Sequence, residues 1–151
     1  MWHDGAMAQA RFPHEKVITV SDGEVIFEEG DNDREMFIIQ SGEVEIVRNT
    51  LAGKVIITTL ERGAFFGEMA LLESLPRSAT ARSKGETRLV VVQPGGFLVK
   101  LRRDPTFAFE LMQQLSRRLR LTHQWLDERY STDNGPDSLI DTTIYDESMF
   151  S

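Results

Sequence analysis

The chain contains no cysteine, so disulfide frameworks, thiolate nucleophiles and cysteine-held zinc or iron–sulfur centres are excluded together. A reducing cytoplasm is the expected location. The histidines His3, His14 and His123 are scattered, with no His-x-His pair to start a metal centre of the cupin kind. There is no Walker-type Gly-Lys-Ser/Thr stretch and no credible Ser-His-Asp arrangement, so catalysis is not expected and neither is a catalytic cofactor or metal. Long apolar runs are missing as well. Stretches such as Leu89 to Val92 are far too short to cross a bilayer, and the N-terminus lacks a basic patch followed by an apolar run, so neither membrane insertion nor export is expected. Positive charge is in deficit: the formal net charge of -7 makes the surface a poor attractant for nucleic acid or anionic membrane. Part of that charge is local, because "STDNGPDSLIDTTIYDESMFS" carries Asp133, Asp137, Asp141, Asp146 and Glu147 and no Lys or Arg.

What is present suits one globular domain: 151 residues, 40% of them hydrophobic. From Lys16 to Gln93 the apolar residues come in short runs rich in Val, Ile and Phe, namely "KVITV", "EVIFEE", "MFIIQ", "EVEIVR", "KVIITTLE" and "TRLVVVQ". Turn signals separate them at Asp22-Gly23, Glu29-Gly30-Asp31, Ser41-Gly42, Ala52-Gly53, Arg62-Gly63 and Lys84-Gly85. This spacing predicts an antiparallel sandwich or barrel over residues 16–93, with "MFIIQSGEVEIV" as a hairpin. After Pro94-Gly95-Gly96 the pattern turns helical over 95–130. Asp104-Pro105 supplies an N-cap and a first-turn proline for a long helix. Met112, Leu115, Leu119, Thr122 and Leu126 form a heptad-like stripe on it, and Phe107, Leu111 and Trp125 populate a neighbouring face. One face can cover the sheet while the other meets a second copy, giving a homodimer through helix 105–130. The alternative is a single wide core-facing stripe in a monomer. Residues 1–15 read as an N-terminal arm and 131–151 as a flexible acidic tail, in which Leu139-Ile140 and Met149-Phe150 are either a docking peptide or idle.

The segment "FFGEMALLESLPRSATAR", from Phe65 to Arg82, places a glycine, a carboxylate and an arginine among apolar residues. A phosphate diester leaving water must recover hydrogen bonds from backbone N–H groups and a guanidinium, whose planar fork matches two phosphate oxygens. "AFF" reads as a strand that stops at Gly67, and "GEMALL" then opens a short helix whose first N–H groups can face an anion. Glu68 accepts hydrogen bonds, which suits a sugar hydroxyl. Pro76 fixes the approach to Arg77, and Ser78 and Ala79 leave room and offer another N–H. A lone Arg in a loop is ordinarily a solvated surface residue, and a lone Glu after Gly is ordinarily a helix cap; their joint occurrence with Ala70, Ser78 and Ala79 favours a phosphorylated-sugar site.

"FGEMALL" followed by "PRSAT" resembles the phosphate-binding cassette of cyclic nucleotide-binding domains, which are shared by bacterial catabolite activators, cyclic-nucleotide-dependent kinases and gated channels. "IFEEGD" and "MFIIQSGEVEI" resemble the early strands of that family, and the resemblance spans about Val17 to Tyr130. It implies a mainly β fold with flanking α: an antiparallel β-jelly-roll (double-stranded β-helix) with a short N-terminal element, a cassette helix and a long C-terminal helix. It also implies that Arg77 holds the cyclic phosphate and Glu68 the ribose 2′-hydroxyl. Gly67, Met69, Ala70, Ser78 and Ala79 would line the cassette, with Phe66 and Pro76 at its edges. The long helix of the catabolite activators contacts the purine through a Thr-Ser pair. Here the pair reads Thr122-His123, so Thr122 matches and His123 departs. The resemblance implies a non-enzymatic receptor for cyclic AMP, with cyclic GMP as the alternative ligand, acting on an unknown protein partner. A truncated transcription regulator of the same family is the alternative. The acidic tail is too short and wrongly charged for a helix-turn-helix module, so no DNA binding is expected. Replacement of Arg77 is expected to cost ligand binding while leaving folding nearly intact.

Overall fold

The computed structural model describes residues 11–133. Its elements run β1 (Lys16–Val20), β2 (Val25–Phe27), β3 (Met36–Thr50), β4 (Gly53–Leu60), β5 (Phe65–Phe66), α1 (Glu68–Glu73), β6 (Thr80–Val92), α2 (Pro94–Arg103) and α3 (Pro105–Asp133). The strands pair antiparallel in the order β1-β6-β3-β4, with β2 also on β6 and β5 on β3. The expected antiparallel jelly-roll with flanking helices is the fold observed.

The two long strands carry the core. Phe37, Ile39 and Val44 of β3 face inward with Ala81, Leu89 and Val91 of β6, and Val20, Phe27 and Phe66 complete that cluster. Alternate residues of the same strands, Met36, Ile38, Val90 and Val92, are fully buried too, so the centre of the sheet is covered on both faces. Each buried Phe, Ile or Leu contributes about 1.5–3 kcal/mol of hydrophobic stabilisation. At the end of the N-terminal arm the buried ring of Phe12 meets Phe107 edge-on at 5.2 Å, and Phe107 meets Phe97 at 6.2 Å.

Three expectations are corrected. "MFIIQSGEVEIV" is not a hairpin: β3 is one strand of 15 residues that bends at Gly42, with its register shifting on either side of Ser41. Extra residues in an antiparallel pair bend a strand without reversing it. Gly42 is required there, because its φ is 88° and a Cβ would stand 2.5 Å from Thr87 Oγ1. Lys84-Gly85 is not a turn either, but lies inside β6 opposite that bend. Pro94-Gly95-Gly96 does not precede α2 but forms its first turn, where proline's fixed φ suits the helix and Gly96 accommodates Pro13 O, which would lie 2.7 Å from a Cβ.

The expected cap at Asp104 is present: its Oδ1 accepts the Phe107 N–H at 3.1 Å. That bond, reinforced by Lys100, holds its carboxyl below the ordinary carboxylate value. By contact the chain divides into two compact units, residues 1–109 and 110–151, the second containing the remainder of α3. In that second unit Met112 and Leu119 are more than half exposed and Leu115 and Leu126 half-buried. The helix runs to Asp133, three residues past the expected end. The rest of the acidic tail lies outside the described residues. Among them no helix is long and apolar enough to cross a membrane.

Candidate functional site

β5 delivers the chain to Gly67, which stops the strand and starts α1. Gly67 is the N-cap in the left-handed region, at φ 83° and ψ 4°, and no side chain caps the first turn. A non-glycine residue is disfavoured in that conformation. The space is also closed: a Cβ at Gly67 would lie 2.7 Å from Arg77 Nη1 and 3.0 Å from Glu35 O.

Arg77 is 4% exposed, so the surface-residue reading fails. Its main chain is zipped to the loop leaving β2, with Gly30 N–H donating to Arg77 O at 2.8 Å and Arg77 N–H to Asp31 O at 2.8 Å. Its guanidinium lies 4.0 Å from the centre of the Phe27 ring. Nε and Nη2 grip the Asp33 carboxylate in a fork, Nη2 also donates to Glu35 O at 2.6 Å, and Nη1 donates to Gly67 O at 2.9 Å. Among the described residues these four bonds occupy four of the five guanidinium N–H groups and leave one, on Nη1, beside the Gly67 turn. The arginine is therefore pinned at the mouth of α1 and balanced by a half-exposed carboxylate. A residue that joins three segments through partly buried bonds has a structural role, so its loss should cost folding stability, which argues against the expectation that folding would stay nearly intact.

The other expected residues are distributed unevenly. Glu68 is half-buried at the first position of α1, Met69 is exposed beside it, and Ala70 is buried. Ser78 is exposed and its hydroxyl lies 3.8 Å from Met69 Sδ, which joins the two halves of the cassette. Ala79 is buried and Pro76 exposed. Phe66, expected at the ligand's edge, is a core residue stacked on Phe37 at 5.2 Å. Thr122 and His123 lie in the second unit of the chain and are exposed; the Thr122 hydroxyl donates to Arg118 O one turn back at 2.9 Å.

Sequence reasoning missed Asp33, Arg34 and Glu35. Asp33 and Glu35 supply acceptors to Arg77, and Arg34 Nη2 lies 3.4 Å from Leu71 O near the end of α1. The signal was the acidic run Glu28 to Asp33: a guanidinium buried in the cassette requires a counter-charge, and this run precedes the strand that faces it. Among the described residues no three His, Asp or Glu side chains cluster as metal ligands would.

Residues 17–104 match the family model described as the cyclic nucleotide-binding domain. Over 106 residues the chain is 36% identical to the Cyclic AMP receptor protein of Thermus thermophilus, covering 70% of this chain and 49% of that protein. Over 67 residues it is 39% identical to the cAMP-dependent protein kinase regulatory subunit of Mycosarcoma maydis, covering 44% of this chain and 13% of the subunit. The crystal structure of the Thermus thermophilus Catabolite Activator Protein superposes with a TM-score of 0.69 at 32% identity, covering 82% of this chain and 57% of the other. The chain thus spans about half the length of the bacterial relative and a small part of the kinase subunit.

Proposed function

The chain belongs to the cyclic nucleotide-binding domain family, and on that premise we propose that it is a non-enzymatic receptor for cyclic AMP, with cyclic GMP the alternative ligand. The observation that carries this reading is the buried Arg77 held against the Gly67 turn with one N–H uncommitted. The two relatives named for cyclic AMP support that ligand over its guanine counterpart.

In this reading the cyclic phosphate meets Arg77 and the backbone N–H groups of Ala70 and Ala79, and Ser78 adds its hydroxyl. Asp33 already occupies two guanidinium N–H groups, so the phosphate either uses the remaining donor or draws the fork away from the carboxylate. Glu68 accepts from the ribose 2′-hydroxyl, with Gly67 and Met69 lining the turn. Thr122, and less directly His123, are the residues that the family resemblance offers for the base, and ligand binding presents or hides a surface for a cytoplasmic protein partner. Self-association through α3 uses the exposed Met112 and Leu119 with Leu126 in register.

Equilibrium dialysis against each cyclic nucleotide, with chromatography of the recovered ligand, tests the reading. Intact cyclic AMP retained in preference to cyclic GMP is expected. Retention of neither, or recovery of the 5′-monophosphate, contradicts it.

A further inference from the structure

The three residues before β3 each hold a different part of the molecule. Asp33 takes the Arg77 fork. Arg34 donates to Leu71 O at 3.4 Å. Glu35 faces two ways: its carbonyl accepts from Arg77 Nη2 at 2.6 Å, while its carboxylate accepts from Gln93 Nε2 at 2.7 Å.

The last two contacts are not those that local rules supply. The final carbonyls of a helix have no partner within it, and at the end of α1 the Ser74 N–H serves one of them by donating to Ala70 O. Arg34 brings a cation to the next carbonyl, where the helix dipole favours positive charge. Gln93 is the N-cap of α2, yet its side chain makes no cap bond to its own helix and reaches Glu35 instead. The Gln93 carbonyl meanwhile accepts the Phe97 N–H at 2.9 Å, which starts α2.

Resting on the receptor reading above, we infer that Arg34 and Glu35 are positioning residues that couple Arg77 to the end of α1 and to the start of α2. A phosphate that draws the guanidinium from Asp33 moves the backbone of residues 33–35. Arg34 carries that displacement to the last turn of α1, and Glu35 carries it through Gln93 to the first turn of α2. The long helix follows α2 directly at Pro105. Occupancy at the cassette thereby reaches the helical end of the domain without any contact to the base. Glu35 is the shorter link, its carboxylate accepting from the exposed Gln93 Nε2 at 2.7 Å.

The test is amide hydrogen exchange on the full chain with and without saturating cyclic AMP. In the wild type, ligand is expected to change exchange in both the last turn of α1 and the first turn of α2, the Phe97 amide included. Glu35→Ala should abolish the change at α2 and preserve it at α1. Glu35→Gln should restore it, because an amide oxygen still accepts from Gln93. Gln93→Ala removes the donor from the opposite side and should reproduce Glu35→Ala, which guards against a folding defect in either variant. Arg34→Ala should abolish the change at α1 alone and weaken binding about two- to tenfold. A wild type that binds cyclic AMP without any change at α2, or a Glu35→Ala variant that keeps the full change, overturns the inference and leaves the receptor reading standing. A wild type that binds no cyclic nucleotide overturns both.

Discussion

Replacing Arg77 by alanine should unfold the domain more readily than any loop substitution ordinarily does. The side chain is 4% exposed and its N–H groups serve Gly67 O, Glu35 O and the Asp33 carboxylate. Truncation leaves two partly buried backbone carbonyls without those donors, at about 1–3 kcal/mol each. The Asp33 side chain is 37% exposed and can rehydrate, so its ion pair contributes little to the loss. The Phe27 ring loses a cation 4.0 Å from its centre, a contact worth about 0.5–2 kcal/mol. Because these contacts share one side chain they do not simply add, and the net loss should be about 2–5 kcal/mol. Urea denaturation followed by far-ultraviolet circular dichroism reads this directly. With a slope of about 1–3 kcal/mol per molar, the midpoint should fall by at least about 0.7 M. A midpoint indistinguishable from wild type would refute the view that this arginine holds the cassette together.

Three further outcomes follow from the same geometry. Gly67→Ala adds a methyl group 2.7 Å from Arg77 Nη1 in a left-handed backbone; it should cost about 1–2 kcal/mol of stability and weaken cyclic AMP binding more than about tenfold by dialysis, and unchanged affinity would contradict the placement of Arg77. Asp104 has a carboxyl held below its ordinary value of 3.8 by the Phe107 N–H and Lys100. Its contribution is therefore complete above that value and disappears as pH falls through the lower folded value, so Asp104→Asn, which keeps a capping oxygen, should flatten the acid limb of a melting-temperature profile below about pH 4; an unchanged limb counts against it. Leu119→Asp places a charge in the exposed stripe of α3 and should shift a dimer to monomer in sedimentation velocity, whereas a wild type already monomeric at high concentration excludes that interface.

Strand positions were legible because Val, Ile and Phe gather in short runs between turn residues, as in "KVITV" and "MFIIQ", and this holds even for "KVIITTLE", whose strand β4 is exposed along nearly its whole length. The cassette was legible because Gly67, Glu68 and Arg77 have a chemical reason to share a segment. Connections that depend on the third dimension were not. Ser41-Gly42 carries the composition of a turn, yet the Thr87 side chain packed against Gly42 shows that the glycine serves a close strand crossing. Asp33 and Glu35 read as surface acids until the partner strand brings them to a buried guanidinium forty-odd residues away. Phe66 carried no local mark that it would stack on Phe37 in the core. Thr122 was assigned by resemblance alone.

Calorimetric titration of cyclic AMP into the wild-type chain and into Arg77→Lys tests the central claim most directly. The lysine keeps the positive charge but loses the fork, so saturable binding at one nucleotide per chain is expected in the wild type and at least about tenfold weaker binding in the variant. No heat of binding in the wild type, or equal affinity in both proteins, would contradict the account.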